Sequence, residues 1–77
     1  MRVFPHHERI KAQLRENGSS MYAIARQLDV QPSDVTIVSQ GLRRSRRIEA
    51  AIASALNTTP EVLFADRYAG EEVAMTS

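Results

Sequence analysis

The side chains in this sequence that are best suited to chemistry are four arginines that lie within five residues, Arg43, Arg44, Arg46 and Arg47. A guanidinium group stays charged and presents its N–H groups in a fork that matches phosphate oxygens. A run of like charges is usually a solvated loop. This run, however, follows one predicted helix and opens another, where arginines oppose the helix dipole unless an anion is bound. We therefore predict that all four arginines contact phosphate groups.

A stripe of mostly small polar side chains precedes the arginines. At about 100° per residue, a helix from Pro32 to Gln40 gathers them on one side, opposite Val35, Val38 and the following Leu42. Glutamine can bond to adenine in the major groove of DNA, and the methyl groups of threonine and isoleucine can contact thymine. The predicted base contacts are Ser33, Thr36, Ile37 and Gln40, with a phosphate as the alternative partner for Ser33.

Asp34 interrupts this favourable pattern, because a carboxylate near phosphates repels them. Two roles are open to it. It can complement the dipole at the start of its helix, or it can accept a hydrogen bond from a cytosine amino group. The first role is the one we favour.

A second set of candidates lies at the start of the preceding helix, Met21 to Leu28. Ser19 or Ser20 suits its N-cap, and the N–H groups that follow have no acceptor within the helix. The predicted phosphate contacts here are Ser20, Met21, Tyr22 and Arg26. For Tyr22, a role as a surface or core-edge aromatic residue is nearly as well supported.

Two short helices joined by a tight turn must position these side chains. Ile24, Ala25 and Leu28 recur at helical spacing, the segment 29–31 breaks that spacing, and Pro32 fits the first turn of a new helix. Three more helices are expected, at about His6 to Glu16, at about Arg46 to Leu56, and as a short one after Thr59 through Phe64.

The predicted architecture is all-α, with five helices around one core and no sheet. The chain should leave the helical state after Phe64, with Tyr68 packing back. The expected core consists of Ile10, Leu14, Ile24, Leu28, Val35, Val38, Ile48, Ile52 and Leu56. Residues 1–68 form the predicted domain, which begins with an extended arm over residues 1–5. Residues 69–77 are expected to be a disordered acidic tail.

The motifs together resemble one known family. Ala25, Asp29, Val35 and Val38 match the pattern of a helix-turn-helix, and the match continues through Gly41-Leu42, the arginine run, IEAAIASALNTTPEVLF and Asp66-Arg67-Tyr68. The stretch from about Phe4 to Tyr68 is similar to the Ner-type regulators of Mu-like phages. This resemblance implies a compact lambda-repressor-like fold and a phage or prophage repressor of transcription that binds double-stranded DNA through its third helix.

One residue departs from that family. Asp29 occupies the turn position where the motif usually has glycine, which tolerates a positive φ. Aspartate can also adopt this conformation at some cost. We therefore expect a positive φ at Asp29.

Composition narrows the function classes. A chain of 77 residues without cysteine has neither a disulfide framework nor a cysteine zinc site. His6 and His7 are adjacent, have no third ligand at suitable spacing, and are expected to be solvated. The sequence has no glycine-rich phosphate loop and no pair of carboxylates with a histidine at suitable spacing. We therefore expect no enzyme activity, no cofactor and no small-molecule substrate. No apolar run indicates a membrane span or a signal peptide, so we expect a soluble intracellular protein. The family resemblance implies the bacterial cytoplasm, with association to the nucleoid when the protein is bound to DNA.

The net charge of +1 is unevenly distributed. Residues 1–60 hold nine Lys and Arg against five Asp and Glu, a net charge of +4, whereas residues 61–77 hold one against four, a net charge of −3. Basic groups therefore share the part of the chain that carries the predicted recognition helix.

Two alternatives to a repressor are open. An antitoxin-like or other protein-binding helical module would use the acidic tail for a partner protein, whereas an excisionase-like accessory factor would bend DNA. A helix-turn-helix monomer makes few base contacts, so two copies per site are expected, with a homodimer that forms only on DNA.

Overall fold

The computed structural model describes residues 4–68, and within that range the chain is helical with no strand. The helices are α1 (Pro5–Glu16), α2 (Met21–Leu28), α3 (Pro32–Gln40), α4 (Arg46–Ala55) and α5 (Pro60–Leu63). The all-α prediction is confirmed. Residues 1–3 of the predicted arm and all of the predicted tail lie outside the described residues.

The expected number of helices is wrong by one. Residues 65–68 form a further helical segment, whereas the sequence predicted that the chain leaves the helical state after Phe64. Phe64 ends α5 with a φ of −118°, and its carbonyl oxygen then accepts the N–H groups of Arg67 and Tyr68 at 2.9 and 3.3 Å. The new turn brings both side chains back onto α4.

Local side-chain caps start three of the helices. Ser20, Ser45 and Thr59 each accept a hydrogen bond from the backbone N–H three residues further on, at 3.0, 3.3 and 3.4 Å. These caps are the predicted ones, and each satisfies an N–H group that has no acceptor within its helix. Helix α3 begins at Pro32, and its N-cap residue, Gln31, makes no side-chain cap hydrogen bond.

The turn between α2 and α3 depends on a left-handed residue. Asp29 has φ 58° and ψ 47°, which confirms the expected positive φ. The N–H groups of Asp29 and Val30 return to the carbonyl oxygens of Arg26 and Ala25, at 3.3 and 2.9 Å. These two hydrogen bonds end α2, and the chain then turns directly into α3.

Replacing Asp29 with glycine should leave stability unchanged or raise it by up to about 1 kcal/mol, because glycine adopts a positive φ without a steric cost. Chemical denaturation measures the change. Ala12→Gly is the control, since Ala12 is exposed within α1, where glycine costs about 1 kcal/mol. If Asp29→Gly costs as much as the control, the carboxylate itself makes a structural bond.

The core lies where all of the longer helices meet. Seven of the nine predicted core residues are buried, whereas Leu28 and Leu56 pack against the core and are only partly buried. The core also contains four buried residues that were not in the predicted set: Ala25, Ala53, Phe64 and Tyr68.

Leu42 does not share the buried side of α3. It is 56% exposed, because Gly41 at φ 87° ends the helix and the helical period no longer applies beyond it. None of the described helices is long and apolar enough to cross a membrane.

Candidate nucleic-acid interface

The predicted base-contacting side chains share the side of α3 opposite its two buried valines. Ser33 is exposed, and Thr36, Ile37 and Gln40 are partly buried. Val35 and Val38, both 0% exposed, fix the rotation of the helix on the core. The stripe therefore faces outward at a fixed angle, with Gln40 as the last residue of the helix.

The start of α2 presents the second predicted set. Ser20 and Arg26 are exposed, and Met21 is partly buried against the core. Tyr22 is 59% exposed, and the guanidinium carbon of Arg26 lies 5.9 Å from the centroid of its ring. Tyr22 is therefore a surface residue and not a core-edge residue, and its predicted phosphate contact stays a prediction.

All four residues of the arginine run are exposed, yet each side chain has a contact within the domain. Arg43 donates to Asp34 at 2.9 Å, and Arg44 donates to Glu49 at 3.0 Å. Arg46 lies over the ring of Tyr68, and Arg47 donates to the carbonyl oxygen of Leu28 at 2.8 Å. The run is therefore held against the domain and is not a loosely solvated loop.

The contact between Arg43 and Asp34 gives the acid a role that the sequence did not suggest. The carboxylate lies in the first turn of α3, as expected for a group that complements the helix dipole. It also neutralises one charge of the arginine run, and both side chains stay partly accessible to solvent.

Two arginines donate hydrogen bonds to carbonyl groups at the C-terminal ends of α2 and α3, the two helices of the helix-turn-helix. Arg47 reaches the last carbonyl oxygen of α2, and Arg67 donates to the carbonyl oxygen of Ser39 in α3 at 3.1 Å. A positive charge is favourable at both places because carbonyl groups there lack partners and the helix dipole is negative. Arg47 thus has a stabilising contact that its place at the start of α4 did not indicate.

A buried carboxylate connects these parts. Glu49 in α4 is 0% exposed. One of its oxygens accepts from Arg44 at 3.0 Å and Arg67 at 3.1 Å, and the other accepts from the hydroxyl group of Tyr68 at 2.7 Å. Within the described residues, every fully buried side-chain nitrogen and oxygen has a hydrogen-bond partner.

The hydrogen bonds decide how Glu49 titrates. Burial alone would raise the pKa of its carboxyl group, but the bonds from Tyr68, Arg44 and Arg67 together hold that pKa below its usual value. Burial and the neighbouring carboxylate raise the pKa of Tyr68. Glu49 is therefore ionised and Tyr68 is a neutral donor at neutral pH.

Sequence reasoning did not identify Glu49, Arg67 or Tyr68 as parts of this site. One signal was available for Glu49. It follows Ile48 directly and lies three residues before Ile52, on the buried side of α4, where a carboxylate needs donors. Arg67 entered only as part of a family motif, and Tyr68 was in addition expected to pack back onto the domain.

The prediction for His7 is wrong. Its side chain is buried, at 4% exposure, and its Nδ1 shares a hydrogen bond of 2.8 Å with Ser39 Oγ. The helical turn that begins at Pro5 directs His7 inward, together with Ile10 and Leu14. His6 is exposed as expected, and its Nε2 bonds to the carbonyl oxygen of Leu63 at 2.9 Å.

The buried histidine should make stability depend on pH. Burial, with a contribution from Lys11, lowers the pKa of His7 below 6.5. As the pH falls, the unfolded chain therefore binds a proton first. Stability that is present above about pH 6.5 is lost as the pH falls through the folded-state pKa, by about 1.4 kcal/mol per unit of pKa difference.

Urea denaturation between about pH 7.5 and 5 measures this loss. His7→Gln keeps a hydrogen-bonding group and does not titrate, so its stability should vary less over that range. His6→Gln is the control that makes the same substitution at the exposed neighbour. Equal pH dependence in the wild type and His7→Gln would contradict the prediction.

Two short helices at a tight turn, with an outward polar stripe and exposed arginines directly after it, define a helix-turn-helix DNA-binding domain. A family described as winged helix-turn-helix DNA-binding matches residues 5–77. The chain belongs to that family. Residues 4–68 contain no strand, so this part of the chain carries no β wing. No curated protein and no solved structure matches the chain.

Proposed function

We propose that the protein is a sequence-specific regulator of transcription that inserts α3 into the major groove of double-stranded DNA. The observation that carries this proposal is the outward stripe of α3 followed at once by exposed arginines. We further propose that the protein is a repressor of the Ner type, encoded by a phage or prophage, that acts in the bacterial cytoplasm.

The base contacts are assigned to the outward side of α3. Gln40 presents a donor and an acceptor that match the major-groove edge of adenine, and Thr36 and Ile37 present methyl groups to thymine. Ser33, near the start of α3, reaches a base or the adjoining phosphate. Family membership supports DNA binding as such, and the stripe supports α3 as the element that reads the sequence.

The phosphate contacts are assigned to the segments before and after α3. Ser20, Met21, Tyr22 and Arg26 at α2 take one set of phosphates. The arginine run takes another. The internal contacts of Arg43 and Arg47 each use one donor of a guanidinium group that has several. These contacts therefore orient the side chains and leave donors for phosphate oxygens.

The assembly on DNA is proposed to contain two copies. A single α3 reaches only a few base pairs, and two copies one helical turn apart would double the contacts. We infer that the copies come together on the DNA.

Selection of bound fragments from random duplexes, with the protein-to-DNA ratio measured, tests the proposal. We expect a preferred site with two half-sites and two copies bound to it. Binding without any sequence preference, or no binding to DNA, would contradict the proposal and favour the protein-binding module. A strong bend in the bound fragment would favour the accessory factor.

A further inference from the structure

Two arginines of the run, Arg44 and Arg46, lie over the aromatic ring of Tyr68. The guanidinium carbons of Arg44 and Arg46 are 5.1 and 5.9 Å from the ring centroid. Such distances allow a cation to interact with the electron-rich face of an aromatic ring. Tyr68 itself is only 8% exposed, so its ring is part of the core, and the two exposed arginines lie against it.

The ring is held at its other end as well. Its hydroxyl group donates to Glu49 at 2.7 Å, and Glu49 accepts from Arg44 at 3.0 Å. The carboxylate and the ring thus contact the same arginine from two directions. A side chain held in this way has little rotamer freedom left to lose when it binds a ligand.

The arginines of this cluster differ in their access to solvent. Arg67 is largely buried at the end of α3, whereas the side chain of Arg44 is 41% exposed. Arg46 is an exposed residue as well. An anion can therefore approach the cluster on the side of Arg44 and Arg46.

We propose that Tyr68 and Glu49 are positioning residues that hold Arg44 and Arg46 as a preformed pair for DNA phosphates. This inference rests on the proposed function and assigns part of its phosphate-binding surface. Tyr68 does not touch the DNA in this account. Its ring acts through the two arginines, and its hydroxyl group acts only through Glu49.

Two substitutions separate the ring from the hydroxyl group. Tyr68→Phe keeps the ring, and Tyr68→Leu removes it but keeps an apolar side chain in the core. The affinity for a random-sequence duplex is measured at several salt concentrations, at a temperature where circular dichroism shows each variant to be folded. We expect Tyr68→Leu to lower the salt slope by about one to two units, since each phosphate contact contributes about 0.9. Tyr68→Phe, which loses only the bond to Glu49 and keeps the ring, should lower the slope less.

A double-mutant comparison tests whether Tyr68 acts through the arginines. In an Arg44→Ala/Arg46→Ala background, Tyr68→Leu should cause no further loss of DNA affinity. Equal salt slopes for Tyr68→Leu and Tyr68→Phe, or an undiminished effect of Tyr68→Leu in that background, would overturn the positioning role alone. A wild-type protein without salt-dependent DNA binding would overturn the proposed function as well.

One measurement on the free wild-type protein does not depend on the folding of any variant. The relaxation of arginine side-chain ¹⁵Nε nuclei reports motion on the picosecond to nanosecond scale. We expect Arg44 and Arg46 to be more ordered than Arg9, an exposed arginine of α1. Equal mobility of the three side chains would overturn the preformed pair.

Discussion

Replacing Glu49 with alanine is expected to destabilise the domain by about 3–5 kcal/mol. The carboxylate is fully buried and accepts hydrogen bonds from Tyr68, Arg44 and Arg67. Its removal leaves the buried hydroxyl group of Tyr68 without its acceptor, and it leaves the largely buried charge of Arg67 without its counterion. A domain of this size has about 5–15 kcal/mol of total stability, so the loss is a large fraction of it.

Urea denaturation at neutral pH measures the free energy of unfolding of the Glu49→Ala variant. Glu16→Ala is the control, because Glu16 is an exposed carboxylate at the end of α1, where a substitution changes stability by about 0.5 kcal/mol or less. Glu49→Gln, which keeps the shape and loses the charge, should lie between the two. A Glu49→Ala variant as stable as the control would show that the network contributes little.

The helices were predictable because local chemistry sets their ends. Ser20, Ser45 and Thr59 cap α2, α4 and α5 through bonds that span only three residues. The helical period likewise placed Val35 and Val38 inside. It failed for Leu42, because a period cannot be extended past the left-handed Gly41.

The polar interior was not predictable, because its bonds join distant parts of the chain. His7 meets Ser39 across 32 positions, and Glu49 meets Tyr68 across 19. Serine and glutamate are residue types usually found in solvent, and histidine and tyrosine are intermediate. Only a partner that the fold brings near makes the burial of such polar groups favourable.

The candidate interface also has one part that the sequence predicts and one part that depends on contacts between distant residues. The stripe on α3 follows from spacing within one helix. The partners of the arginines do not, since Asp34, Leu28 and the ring of Tyr68 come from α3, α2 and the segment after α5. A charge run alone cannot show whether its side chains are held or free.

Replacing Gln40 with alanine is expected to weaken binding to the preferred duplex by about 1–3 kcal/mol, the value of one good base contact. Binding to random DNA should change little, because no base contact is made consistently there. Arg43→Ala should behave in the opposite way. It weakens binding to both duplexes alike and lowers the salt slope by about one unit, since phosphates are the same in every sequence.

Gln13→Ala is the matched control for Gln40→Ala. Gln13 is an exposed glutamine of α1, outside the proposed interface, and its backbone oxygen keeps its bonds to Asn17 when the side chain is shortened. Its removal should leave the affinity for either duplex unchanged. This comparison separates a lost base contact from a general effect of shortening a glutamine.

Binding isotherms of the wild type, Gln40→Ala and Arg43→Ala on the preferred and random duplexes, at several salt concentrations, test the central claim most directly. The account predicts that Gln40→Ala loses affinity only for the preferred duplex and keeps the salt slope. It predicts that Arg43→Ala loses affinity for both duplexes and has a shallower slope. Equal losses of Gln40→Ala on the two duplexes would contradict the claim that α3 reads the base sequence.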